Sequence, residues 1–118
     1  MNYYWLDRPE DHDYPAAVSY LSLLWSPVAA MAVVDKLKKA DMTAFKAKDI
    51  FRASGLPLLG LSNTHVKKNL KKMRDKIRLS PLLLVRTEHR LIIADGYHRL
   101  CAVYSESEDE LIPCKIVG

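Results

Sequence analysis

Asp95, Gly96, Tyr97, His98 and Arg99 follow directly on the apolar run Leu91-Ile92-Ile93-Ala94. An apolar run that ends in an acid and a glycine, and then turns polar, reads as a strand feeding a helix. The first amides of a helix have no acceptor inside it, and its dipole favours negative charge there. A glycine at that junction lets the backbone approach a ligand closely, and the guanidinium of Arg99 can hold two phosphate oxygens at once. His98 and Tyr97 add polar groups beside it. The chemistry these residues suit is phosphate or nucleotide binding at a helix N-terminus. Asp95 is the first candidate for a catalytic proton carrier, or for a partner to a hydroxyl or a cation. The plainer alternatives are a strand-end acid that caps the next helix, and a surface ion pair for Arg99.

Other residues offer weaker chemistry. Asp49 is a second candidate acid or base, and Lys48 beside it could reach a phosphate from the edge of a strand; a solvated strand edge would look the same. Asp7, Glu10, Asp11, His12 and Asp13 lack the repeated spacing of metal ligands, so they read as a solvated acidic arm, and no metal site is expected. Cys101 and Cys114 are too few for a disulfide framework and read as buried, reduced thiols.

Charge is unevenly placed. Residues 67–78 carry seven basic side chains against the single acid Asp75, a local +6 within a formal net charge of +4, which leaves −2 for the rest. Lys67, Lys68, Lys71 and Lys72 could therefore track a nucleic-acid backbone. Aromatic residues for base stacking are missing from that segment, and a charged outer helix face is the common alternative.

These groups must be positioned by a modest fold. The 118 residues, 49% hydrophobic and 27% charged, suit one soluble domain with a core of its own. Residues 16–34 are nearly apolar, but Ser19, Ser22, Ser26 and Pro27 interrupt them, so no membrane span is expected. Met1-Asn2-Tyr3-Tyr4-Trp5 lacks the basic-then-apolar pattern of a secretory signal, which points to the cytoplasm. Pro15 starts one helix, and Ser26-Pro27 starts a second with Met31, Val34 and Leu37 on its apolar face. Residues 42–47 form a short strand, Asp49 caps a helix over 50–54, and Gly55 ends it. Asn63 caps the basic helix, with Val66, Leu70, Met73 and Ile77 buried. Strands over 82–86 and 91–95 make a hairpin, a helix covers 97–104, and a last strand covers 112–117, where Pro113, at its start, suits an edge or a first-residue position. The expected class is α+β: a small mixed sheet with surrounding helices over 1–118, in which 1–41 is a helical hairpin extending a core over 42–118.

From residue 66 onward the order is a helix, Ser80-Pro81, an apolar strand, a hairpin, Asp-Gly-x-His-Arg-x-x-Ala and a final strand after Ile112-Pro113. This pattern resembles the ParB/sulfiredoxin-like superfamily. Its members bind nucleotides at the helix following the glycine, and include CTP-hydrolysing partition proteins, ATP-using sulfiredoxins, free serine kinases and some nucleases. The resemblance implies phosphate contacts from Gly96, His98 and Arg99. It also implies ATP or another nucleotide as ligand, together with Mg2+, and the activity of a nucleotide hydrolase or small-molecule kinase. A non-enzymatic nucleic-acid-binding or regulatory module acting through 66–78 is the alternative. Sulfiredoxins place their reactive cysteine where this chain has Tyr97, so sulfinic-acid reduction is not expected. Partition proteins usually carry Gly-Glu-Arg-Arg and a following DNA-binding helical domain, so centromere binding is not expected either. The Asp-Gly-x-His-Arg form is closest to the kinase-like and uncharacterised small members of that superfamily.

Overall fold

Four strands pair into one mixed sheet, and helices cover both of its faces. The computed structural model describes residues 4–118. Met1, Asn2 and Tyr3, part of the stretch read as lacking a secretory signal, lie outside the described residues. In chain order the elements are α1 (Asp13–Leu21), α2 (Pro27–Lys39), β1 (Thr43–Lys46), α3 (Ala47–Ser54), α4 (Thr64–Arg74), β2 (Leu82–Arg86), β3 (Leu91–Asp95), α5 (Tyr97–Glu106) and β4 (Leu111–Val117). The sheet order is β1-β4-β2-β3, with β2 and β4 parallel and the other two pairs antiparallel. A mixed α/β domain of five helices and a four-stranded mixed sheet is therefore present among the described residues. None of these helices is long and apolar enough to cross a membrane.

The unbroken apolar run of β2 follows from its position. Leu82 to Val85 are all buried, because both faces of an interior strand are covered. Leu82 and Leu84 point into one core with Ile50, Val66, Leu100 and Ile112. Leu83 and Val85 point into the other with Leu21, Val34 and Leu37, so α1 and α2 form the second helical layer. Leu83 faces Asp95 and Leu84 faces Ile93, so Ala94 is an extra residue and the irregularity bends β3 near its end.

Local signals placed several boundaries. The Ser26 side chain accepts the amide of Ala29 at 3.2 Å, and Pro27 opens α2. Asn63 Oδ1 accepts the amides of His65 and Val66 at 2.9 and 3.1 Å. Gly55 closes α3 in the left-handed region at φ 68°.

Other expectations are corrected. Met31 is 56% exposed and Ala30 takes its place, since 30, 34 and 37 form the buried row and 31 lies about 100° around the helix. Ile77 is 53% exposed, because α4 ends at Arg74 and Lys76 turns the chain at φ 58°. Helix α3 already starts at Ala47, so Asp49 sits in its first turn and Lys46 holds the cap position. Strand β4 is interior, not an edge. Pro113 is tolerated because it pairs with Ala44 of β1 alone; contact with β2 begins one residue later, at Cys114.

Candidate functional site

The site is built where β3 hands over to α5. Gly96 sits there at φ 108°, ψ 12°, a conformation that L side chains rarely adopt. A Cβ on it would lie 2.7 Å from Leu82 Cγ and 2.9 Å from Arg99 Nη2. Glycine is thus required twice, for its dihedral angle and for space. It has no side chain to cap α5, and its carbonyl accepts the Leu100 amide at 3.0 Å to start the helix. The amides of Tyr97, His98 and Arg99 are left at an open helix end. Beside them is a polar pocket of 220 Å³, lined by His65 and Asn69 of α4 and by residues 95–99.

Asp95 and Arg99 meet across one helical turn. Arg99 Nη2 donates to Asp95 Oδ2 at 2.8 Å, and each side chain is 18% exposed. Arg99 Nε is buried with no acceptor, so one donor of the fork is still unmet. Burial raises the proton affinity of Asp95, the charge and hydrogen bond of Arg99 oppose that rise, and Asp13 adds to it by repulsion and hydrogen bonding. A carboxyl so placed holds its proton more tightly than a free one and can take or give it beside the helix end.

Asp13 departs most from its sequence-based expectation. It reads as part of a solvated acidic arm, yet it is only 2% exposed. Ser80 Oγ donates to Asp13 Oδ2, and the Glu10 amide donates to both Asp13 Oδ2 (3.1 Å) and Ser80 Oγ (3.0 Å). Its partner lies 67 positions away, so no local pattern reveals the contact. The available signal is weaker: an acid at the first turn of an apolar helix.

Histidine and tyrosine at the helix end do different work from a cation. The His98 ring lies 4.8 Å from that of His65 and 5.5 Å from that of Tyr97. Burial, then His65 and Arg99, lower its pKa, so at neutral pH it is an uncharged donor or acceptor. Tyr97 donates its hydroxyl to the Pro57 carbonyl and ties the 56–60 loop to the pocket rim. Burial, then Cys101, keep that phenol protonated.

The remaining candidates are elsewhere. Lys48 pairs with Asp109 at 2.7 Å beside the loop after α5, away from Gly96. Asp49 lines a different cavity, next to the β2–β3 turn. Asp49 and Asp95 therefore line separate cavities. Lys67, Lys68, Lys71 and Lys72 are exposed on α4, and Lys71 pairs with Asp75 at 2.7 Å. Cys101 and Cys114 are free and buried; burial raises the first thiol and pushes the second up to about 12, so neither supplies a thiolate. Among the described residues no three His, Cys, Asp or Glu side chains gather as metal ligands. Asp95 is engaged by Arg99 and Asp13 by Ser80, a set that does not fit a magnesium ion held by the protein alone. No protein-family model, curated protein or solved structure matches this chain.

Proposed function

We propose that this chain is a ParB/sulfiredoxin-like domain that binds a nucleotide, or another phosphate ligand, at the N-terminal end of α5. One observation carries the reading: a polar pocket at an uncapped helix end, whose glycine leaves no Cβ and whose arginine keeps an unmet buried Nε. Charge balance narrows the ligand. Asp95 neutralises part of Arg99, and His98 is uncharged, so attraction comes from amides and directed donors more than from net charge. That suits one phosphoryl group held by hydrogen bonds. If chemistry follows, Asp95 is the proton carrier, as a hydrolase or small-molecule kinase would need. Any Mg2+ would come in on the phosphates of the nucleotide.

Calorimetry against ATP, ADP, CTP and GTP tests this directly. Binding of at least one is expected, and Arg99→Ala should weaken it by about 2 kcal/mol, roughly thirtyfold. A folded wild-type protein that takes up none of the four would end the reading.

One observation favours a second role on α4. Of Lys67, Lys68, Lys71 and Lys72, only Lys71 has an acidic partner among the described residues. A nucleic-acid surface there would bind more weakly as salt rises, in proportion to the phosphates neutralised. The double variant Lys68→Glu/Lys72→Glu should lose that binding and keep nucleotide affinity. Absence of binding to DNA and RNA at low salt would reduce α4 to a solvated face.

A further inference from the structure

A second cavity, of 450 Å³, opens at the other end of β3 between α3 and the β2–β3 turn. Leu91 and Asp95 bound β3, so this cavity and the Gly96 pocket are about 13 Å apart at 3.3 Å per residue. Its floor is apolar, made by Phe45, Ile50, Leu91 and Ile116 from four different elements. Helix α3 does not seal it: Phe45 is 38% exposed, and Leu91 and Ile116 are only half-buried. Small-molecule sites have this size and make-up, an apolar body with a few convergent polar groups.

The rim supplies those groups. Arg86 and Arg90 both line the cavity, and neither forms an ion pair among the described residues. The turn that carries them is fixed internally. Thr87 donates its amide and its hydroxyl to the Arg90 carbonyl at 3.2 and 2.6 Å, and its Oγ1 accepts the amides of His89 and Arg90 at 3.4 and 3.2 Å. Those amides are engaged, which leaves the guanidinium groups and the His89 ring as the free donors. Asp49 and Glu88 also stand on the rim and would repel a second negative charge. The combination selects a monoanion with an apolar body, and it disfavours phosphates and dicarboxylates.

We infer that this groove binds an aryl or alkyl monocarboxylate, its body on Phe45, Ile50, Leu91 and Ile116 and its carboxylate on Arg86 and Arg90. The site is independent of the phosphate pocket, so either can stand or fall alone. An amide NMR titration with hydrocinnamate, run beside its uncharged amide hydrocinnamamide, reads it out. Shifts should cluster at the floor residues and the β2–β3 turn, and leave residues 96–99 unmoved. The acid should bind at least about tenfold tighter than the amide. Arg86→Gln/Arg90→Gln should erase that preference, while Phe45→Ser should weaken both probes. The arginines are exposed, so an otherwise unchanged spectrum of the double variant confirms that it is folded. No clustered shifts at millimolar probe, or equal affinity for acid and amide, would overturn the assignment. Concentration-dependent broadening of the same residues without probe would overturn it too, because the groove would then hold a second copy of the chain.

Discussion

Gly96→Val is expected to lower stability by about 4 kcal/mol. A β-branched residue held at a left-handed φ costs roughly 1–3 kcal/mol, and forcing atoms into a packed core costs roughly 1–3 kcal/mol more. Both terms apply, since φ is 108° and the added Cβ meets Leu82, which is fully buried. A domain of this size has only about 5–15 kcal/mol in hand, so the urea midpoint should fall steeply with little change in slope. Gly55→Ala separates the two causes. Gly55 also has positive φ, at 68°, but nothing lies within 4 Å of where its Cβ would stand, so only the backbone term remains, about 1 kcal/mol. Gly96→Ala should cost clearly more than Gly55→Ala. Equal losses would mean that the crowding against Leu82 and Arg99 is relieved at no cost.

The parts of this fold that are legible in the sequence are those decided within a few residues. Ser26-Pro27, Asn63 and Gly55 mark helix ends because each satisfies, or conformationally permits, a local backbone need. The two apolar strands and the glycine between β3 and α5 are readable for the same reason. Errors fall where tertiary position decides. Met31 and Ala30 are both apolar, and only packing against the sheet chooses between them. Pro113 suits an edge or a strand start, and only pairing chooses between them: β4 is interior, and its neighbour β2 starts pairing just after the proline. For the site, the contiguous residues 95–99 share one pocket as their adjacency requires, and α4 adds His65 and Asn69 by packing alone. Lys48 and Asp49 do not line that pocket: Lys48 pairs with Asp109, and Asp49 lines the cavity beside the β2–β3 turn.

Asp13 gives the second large effect, with a loss of about 3 kcal/mol expected for Asp13→Ala. The carboxylate accepts the Ser80 hydroxyl and the Glu10 amide in a buried setting; the amide keeps Ser80 Oγ as an acceptor, but the Ser80 hydroxyl is left unmet, at a cost of roughly 1–3 kcal/mol. An acid in the first turn of α1 also stabilises that helix through its dipole, by roughly 0.3–1 kcal/mol. Stability alone would not distinguish a structural residue from one that tunes the site, so Asp95 supplies the second readout. Its folded-state proton affinity is raised, first by burial, against the pull of Arg99 and with help from Asp13. Between the ordinary carboxylate value of 3.8 and that raised value, the native state binds more of this proton than the unfolded chain does. The contribution of Asp95 to stability is therefore greatest below 3.8 and declines as pH rises through that window. Removing Asp13 takes away one cause of the rise, so the carboxyl titration midpoint of Asp95, followed by carbon NMR, should move down in Asp13→Ala. An unmoved midpoint would show that Asp13 only anchors α1 to Ser80 and leaves the proposed proton carrier untouched.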